Sequence, residues 1–379
     1  MSSAEPHLVA LAAGGTGGHL FPAQALAEVL RARGHDIHLV TDERVQDYGK
    51  SFPATKTHII PSASISLSQP LKVPRNLLRL YAGISKAKTL FAQQNPSVVV
   101  GFGGYPSLPP LWAATRLHIP TIVHEQNSVL GRANKLMANR VNAIATSFET
   151  VFKMTPRAAA KAVLTGNPVR QLALNFARAA YPEISTTSPL RVVVFGGSQG
   201  ARFFSDVMPE AVKQLPDALR TRLLIVQQCR QEDMQRVAQA YAALGVAVRL
   251  SHFFANMPEE IANSHLVICR SGASSIAELG VIGRPAILVP LPHAIDNDQQ
   301  KNAESFAAIG AGHIRPQNDL SPQGLADLLQ RLLEQPQTLK DAAKAAARHG
   351  KPDAAQKLAD LVERHMTRLG PSPTGDTTP

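Results

Sequence analysis

Cysteine is almost missing: Cys229 and Cys269 are the two in 379 residues. They lack metal-site spacing, and so few thiols fit a reducing compartment rather than a disulfide-stapled fold. Aromatic residues make up 5% of the chain, which argues against a surface that stacks single-stranded bases. There is no H-E-x-x-H, no zinc-like cluster and no Walker A lysine motif. No basic segment leads into an apolar core near the N-terminus, so no signal peptide is expected. The uncharged stretch 95–115 is broken by Pro96, Gly101, Gly103, Gly104, Pro106, Pro109 and Pro110. That composition makes a poor transmembrane helix, so the expected protein is soluble or lies on a membrane. Acid is also scarce, with 28 Asp and Glu against 39 Lys and Arg, a formal charge of +11. The imbalance favours an anionic partner: nucleic acid, a phosphorylated substrate or an acidic membrane. No recognised nucleic-acid motif supports the first.

Glycine turns are what the chain does have. Val9 to Ala13 is an apolar run that ends in Gly14-Gly15-Thr16-Gly17-Gly18-His19, and a helical pattern follows at 22–33. Strand, tight turn and helix are the natural reading. Glycines let the backbone turn sharply and approach a ligand, and the helix N-terminus beyond suits a phosphate. The same layout recurs at Val192 to Phe195, which runs into Gly196-Gly197-Ser198-Gln199-Gly200.

Further strands are expected at 35–41, 96–100, 119–123, 143–145 and 162–164 in the first half. In the second they fall at 191–195, 222–227, 246–250, 266–269 and 286–289. Residues 58–73 read as an irregular loop. Residues 74–88 carry apolar residues at helical spacing among Arg75, Arg79, Lys86 and Lys88. By pattern this reads as an amphipathic helix packed on a sheet with a solvated basic face, in preference to a basic, partly apolar surface resting on anionic lipid. Alternating strands and helices give an α/β chain of two Rossmann-like, parallel-sheet domains facing a cleft. The expected boundaries are 1–170, a linker at 171–190, 191–350, a last helix at 351–368 and a disordered tail at 369–379.

Several residues at strand ends carry chemistry. His19 reads either as a general base, since imidazole titrates near neutrality, or as a turn histidine that only hydrogen-bonds. Glu278 either accepts a ribose diol or favours a helix start. Asp42, past the second strand, reads as a cap or surface turn residue, because the third glycine of a dinucleotide fingerprint is replaced by Leu20. Asp296-Asn297-Asp298 has the look of a metal-binding DxD element but reads better as capping of a helix near Gln299. Ser198 lacks the spacing of a hydrolase nucleophile and reads as a phosphate-contacting hydroxyl.

Taken together, seven motifs resemble the MurG family of bacterial peptidoglycan N-acetylglucosaminyltransferases. They are Gly14 to His19 with Pro22, Gly101-Phe102-Gly103-Gly104-Tyr105, His124-Glu125-Gln126-Asn127, Gly166-Asn167-Pro168-Val169-Arg170, Gly196 to Gly200, Cys269-Arg270-Ser271-Gly272-Ala273 and Asp298-Gln299-Gln300. They occur in the family's order over nearly the whole chain. The resemblance implies a GT-B fold and inverting transfer of GlcNAc from UDP-GlcNAc to the muramyl 4-hydroxyl of lipid I, giving lipid II. It implies a peripheral position on the cytoplasmic face of the inner membrane, no cofactor and no metal, and cell-wall synthesis proteins as further partners. Donor contacts carry over to Thr16, Gly17, Gly18, Asn127, Arg170, Ser198, Phe254, Ala273, Ser274, Ser275, Glu278 and Gln299. His19 becomes the base, and Tyr105 and Glu125 become acceptor-side candidates. The family's membrane patch maps to Leu71, Lys72, Arg75, Leu77, Arg79 and Tyr81, and its last helix returns to the first domain. Rival readings are a GT-B transferase with another lipid or natural-product acceptor, a UDP-sugar epimerase and a non-catalytic UDP-GlcNAc-binding scaffold.

Overall fold

A computed structural model describes residues 6–14, 17–45, 52–64, 70–197, 202–292 and 294–366. The tail at 369–379, Thr16 and Ser198 lie outside the described residues. The chain divides into two compact units, 1–168 with 353–379, and 169–352.

The first unit holds strands β1 (Leu8–Ala12), β2 (Asp36–Thr41), β3 (Lys56–Ile59), β4 (Val98–Gly101), β5 (Thr121–Glu125), β6 (Ala143–Thr146) and β7 (Ala162–Leu164). They form one parallel sheet in the order β3-β2-β1-β4-β5-β6-β7. Leu11 lies at its centre, paired with Leu39 on one side and Val100 on the other. Side chains alternate faces along a strand, so both faces of this sheet must be apolar. Val9 and Leu11 pack with Leu26 and Leu30 of the helix Gly17–Ala32, and with Leu358 and Val362 of the helix Ala354–Met366. Ala10 and Val99 pack on the other face with Leu80 and Phe91 of the helix Val73–Gln94. The last helix is also pinned by charge. Arg33 donates to Asp360 at 2.7 Å and Glu363 at 2.8 Å, and His35 Nε2 lies 3.1 Å from Glu363.

The second unit repeats the design with β8 (Leu190–Phe195), β9 (Leu223–Gln228), β10 (Ala247–Ser251), β11 (Leu266–Cys269), β12 (Ala286–Leu288) and β13 (Gly312–Ile314). Their order is β10-β9-β8-β11-β12-β13, all parallel. Residues 171–190, expected as a linker, are built into this unit. Arg284, fully buried, donates to the carbonyls of Ala179 and Ala180 at 2.9 and 2.7 Å, and also to those of Ala262, Ile282 and Gly283. Its guanidinium stacks 5.6 Å from the Tyr181 ring, whose hydroxyl donates to the His265 carbonyl. Burial pulls the Arg284 pKa down to about 10, still cationic at neutral pH.

Three local expectations differ from the structure. β3 begins inside the residues just before 58, and β13 carries no apolar alternation; both are short edge strands, which need only one partner and show little pattern. The first helix starts at Gly17 rather than at Pro22. Proline favours a helix start because its missing N–H is not needed there, which made Pro22 look like the first turn. The glycine turn is instead wound into the helix, and this puts His19 on its first turn. Asp42 caps rather than lies on the surface: it is buried, its Oδ1 accepts from Arg44 N at 3.3 Å in the short helical turn Glu43–Val45, and its Oδ2 accepts from Ser62 Oγ at 2.8 Å and from Arg44 Nε and the terminal nitrogen.

Candidate active site

In both sheets the chain order reverses beside the first strand of the unit, between β1 and β4 and between β8 and β11. Ligands of open parallel sheets bind beyond the carboxyl ends of strands at such points. Each sheet gathers its glycine turns and polar side chains on that edge.

In the first unit His19 leans on the turn after β4. Gly103 and Gly104 have φ of +82° and +69°, a left-handed backbone that glycine adopts without strain. A Cβ on Gly104 would stand 3.2 Å from His19 Cδ2, and one on Gly103 would stand 3.4 Å from Cε1. The ring therefore rests on bare backbone, where any side chain would crowd it. Gln126, past β5, donates from Nε2 to the Phe102 carbonyl at 2.7 Å and fixes the same turn. Burial holds the His19 imidazole below the ordinary 6.5, partly offset by the Phe102 carbonyl and the Gln126 side chain. His19 is thus neutral at pH 7 and able to accept a proton, and its Nδ1 is buried without a hydrogen-bond partner.

The β5 end is built around Glu125. Its carboxylate accepts from Asn127 N at 3.0 Å, Gly131 N at 2.8 Å and Asn134 Nδ2 at 2.8 Å. Burial raises its pKa while these donors pull it back. Glu125 so shapes the 125–131 loop that carries Asn127. Asn134 also donates to the His124 carbonyl at 3.1 Å, and this bracing role was not read from the sequence. Tyr105 opens the short helical turn Tyr105–Ser107 after the glycines. Gly17 and Gly18 begin the first helix, at its amide-rich end.

In the second unit the helix Ala273–Ile282 follows β11. Its N-cap, Gly272, provides no side-chain cap, and a Cβ there would meet nothing within 4 Å. Ser274 Oγ is buried beside this open end without a hydrogen-bond partner. Ala273 and Ser275 share the same turn. Open amides and a spare hydroxyl at a helix N-terminus make an anion cradle. Glu278, one turn further on, is buried and accepts from Arg170 Nε at 3.2 Å and from its terminal nitrogen at 2.9 Å, both on Oε1. Two residues read separately as donor contacts therefore form one pair, in which arginine orients the carboxylate. The helix Asp298–Ala308 joins the same edge: the Gln299 carbonyl accepts from Ser271 Oγ at 2.8 Å, and its Oε1 accepts from Leu291 N at 3.0 Å. Asp296 and Asn297 are both left-handed at its start, and Asp298 Oδ1 accepts from Gln299 N at 2.8 Å. Asn297 makes no side-chain cap.

Arg270 sits in the Cys269 to Ala273 motif, just past β11. It is buried over the Phe203 and Phe204 rings and donates to the Val289 and Pro290 carbonyls, tying the ends of β11 and β12 together. Phe254 packs under the Arg249 guanidinium at 5.5 Å, and Arg249 in turn pairs with Glu260. The basic helix Val73–Gln94 belongs to the first unit. Leu80, Gly83, Ala87 and Phe91 are buried, while Leu71 is 95%, Leu78 70% and Tyr81 73% exposed. Leu77, Lys72 and Arg75 are also exposed, and Arg79 pairs with Glu43 at 2.8 Å. No helix among the described residues is long and apolar enough to cross a membrane.

Two doubly wound parallel units, each with helix N-termini and glycine turns on one edge, define a GT-B type of nucleotide-binding α/β protein. The chain belongs to glycosyltransferase family 28: residues 9–146 match the glycosyltransferase family 28 N-terminal domain and residues 191–358 its C-terminal domain. It is similar to proteins described as UDP-N-acetylglucosamine--N-acetylmuramyl-(pentapeptide) pyrophosphoryl-undecaprenol N-acetylglucosamine transferase. That of Mesorhizobium japonicum is 51% identical over 94% of both chains. That of Brucella abortus is 51% identical over 94% of this chain and 93% of its own. Among solved structures, Acinetobacter baumannii MurG matches with a TM-score of 0.78 at 29% identity, covering 95% of this chain and all of that one. A Neisseria meningitidis UDP-GlcNAc 2-epimerase shares the fold alone, with a TM-score of 0.65 at 12% identity over 96% of this chain and 99% of that one.

Proposed function

We propose that the chain transfers N-acetylglucosamine from UDP-GlcNAc to the muramyl 4-hydroxyl of an undecaprenyl-diphosphate-linked acceptor, lipid I, giving lipid II with inversion. The observation that carries this reading is the likeness at about half identity, along both units, to transferases of that description.

The geometry supports the chemistry. His19, neutral and held on the glycine turn, takes the proton of the acceptor hydroxyl as it attacks the anomeric carbon. The leaving UDP gathers negative charge on its diphosphate. The open N-terminus of the helix Ala273–Ile282, with Ser274 and Arg170, suits that charge, and fixed dipoles need no reorganisation during the step. Glu278, oriented by Arg170, accepts the ribose hydroxyls, and Gln299 and Asn127 complete the donor contacts. Transfer in this scheme runs without a divalent cation. The test is transfer of labelled GlcNAc to lipid I, or a short-chain analogue, in detergent with excess EDTA. Transfer is the expected result. Activity only after magnesium is restored would make Asp296 and Asp298 ligands, and binding of UDP-GlcNAc without transfer would favour another acceptor or a scaffold.

The protein acts from the membrane surface, on the cytoplasmic side, through the exposed leucines and Tyr81 of the helix Val73–Gln94 and the cations among them. Apolar side chains enter the headgroup boundary while Lys and Arg meet anionic lipid. Leu78→Glu together with Tyr81→Glu is expected to abolish most sedimentation with phosphatidylglycerol vesicles while leaving the donor Kd unchanged. Wild-type binding should weaken as salt rises. Retention of vesicle binding by the double variant would place the membrane face elsewhere.

A further inference from the structure

We propose that Arg44 grips the diphosphate of the lipid-linked acceptor, a role that rests on the transfer reading above. Arg44 stands just past the end of β2, the strand beside β1. Buried Asp42 holds one edge of its guanidinium: Oδ2 accepts from Arg44 Nε at 2.8 Å and from Nη2 at 2.6 Å. Ser62 Oγ donates to the same oxygen at 2.8 Å. Burial raises the Asp42 pKa, but the bonds from Arg44 and Ser62 hold it below the ordinary 3.8, so the anchor is ionised at neutral pH. Capping the turn needs only Asp42 Oδ1 and the Arg44 backbone N–H. The guanidinium is fixed in addition, yet its side chain is 58% exposed and Nη1 meets no acceptor among the described residues.

This turn lies between the base and the membrane face. On one side Thr41 abuts the first glycine turn: a Cβ on Gly14 would stand 2.8 Å from Thr41 Oγ1, and that turn leads to His19. On the other side Glu43 accepts from Arg79 of the helix Val73–Gln94 at 2.8 Å. The segment that carries Ser62 lies along the same helix. Asn76 Nδ2 donates to the Ser64 carbonyl at 2.8 Å, and a Cβ on Gly83 would strike the Pro61 carbonyl. That helix joins β3 to β4, which run parallel in one sheet, so it starts at the carboxyl edge and runs back. Exposed Leu71, Leu77 and Leu78 are therefore at the end nearest the strand ends.

The acceptor spans the same interval. Its polyprenyl tail belongs at the membrane face, its muramyl 4-hydroxyl at His19, and the diphosphate on the anomeric carbon joins the two. The 4-hydroxyl and the anomeric carbon lie on opposite sides of the pyranose ring, so the diphosphate is held away from His19, on the membrane side. The free edge of Arg44 presents two parallel N–H groups, which match a pair of phosphate oxygens. Asp42 and Glu43 are each taken by an arginine and leave no bare carboxylate in the turn to repel it.

The experiment is a cycle between residue and ligand, run in detergent with full-length chains. Wild type and Arg44→Met are given a short-chain lipid I, or an alkyl glycoside of the same muramyl pentapeptide that has no diphosphate. Arg44→Met is expected to lose about tenfold or more in kcat/KM on the diphosphate acceptor. Its value on the alkyl glycoside and its Kd for UDP-GlcNAc should stay within about twofold. Bilayer headgroups offer the same phosphate chemistry, so both chains are also sedimented with phosphatidylglycerol vesicles, and equal sedimentation is expected. Weaker sedimentation of the variant with an unchanged acceptor ratio gives Arg44 to the bilayer and overturns the proposal. Equal losses on both acceptors, which a displaced turn would produce, overturn it, as does no loss on either. If Arg44→Met does not fold, Arg44→Lys, which keeps the charge but not the fork, is read by the same ratio. Wild-type chain that transfers to neither acceptor overturns the transfer reading itself, before any variant is made.

Discussion

His19→Ala is expected to lower kcat by about 10²- to 10⁴-fold, the usual contribution of a positioned general base. The Kd for UDP-GlcNAc should change by less than about threefold, because the diphosphate cradle belongs to the second unit and does not include His19. The pH profile gives an independent check. The base must be neutral to act, so activity is lost as pH falls through its pKa. Burial lowers that pKa, so the acid limb of kcat/KM should lie below 6.5. Gly104→Ala is expected to mimic part of the loss, since its Cβ would press on His19 Cδ2 at 3.2 Å and strain a backbone at φ +69°. Full turnover by His19→Ala, or an acid limb unchanged in that variant, would assign the proton to another group.

Arg284→Met is expected to produce the largest loss of stability. The variant keeps much of the volume but removes every donor to five carbonyls, those of Ala179, Ala180, Ala262, Ile282 and Gly283. Orphaned buried acceptors cost about 1–3 kcal/mol each. Removing a desolvated cation returns part of that sum, so the net loss is set at about 4 kcal/mol. Guanidinium denaturation followed by proteolysis of the second unit measures it. The effect should stay in that unit, because these contacts all lie within 169–352. An unchanged midpoint would mean that water reaches these carbonyls and that Arg284 is not what ties 171–190 to the unit.

Much of the fold was legible because its signals are local. Apolar runs such as Val192 to Phe195 ending in glycine can only be buried strands meeting a turn, and their repetition gives two doubly wound sheets. The short strands Lys56–Ile59 and Gly312–Ile314 escaped because an edge needs neither alternation nor length. Pro22 misplaced the helix start by five residues, and with it the position of His19 in its first turn.

By itself, then, the sequence determined the α/β class, the twin glycine turns and the residue types gathered at strand ends, all consequences of backbone sterics and period. Only the tertiary structure decided what those residues face. His19 rests on Gly103 and Gly104, Arg170 holds Glu278, Glu125 braces its own loop, and Asn167 is buried with no partner. Each of these depends on burial or on contacts between strand ends far apart in the chain. No local pattern encodes them, because hydrogen bonding and desolvation are set by whatever the fold brings alongside.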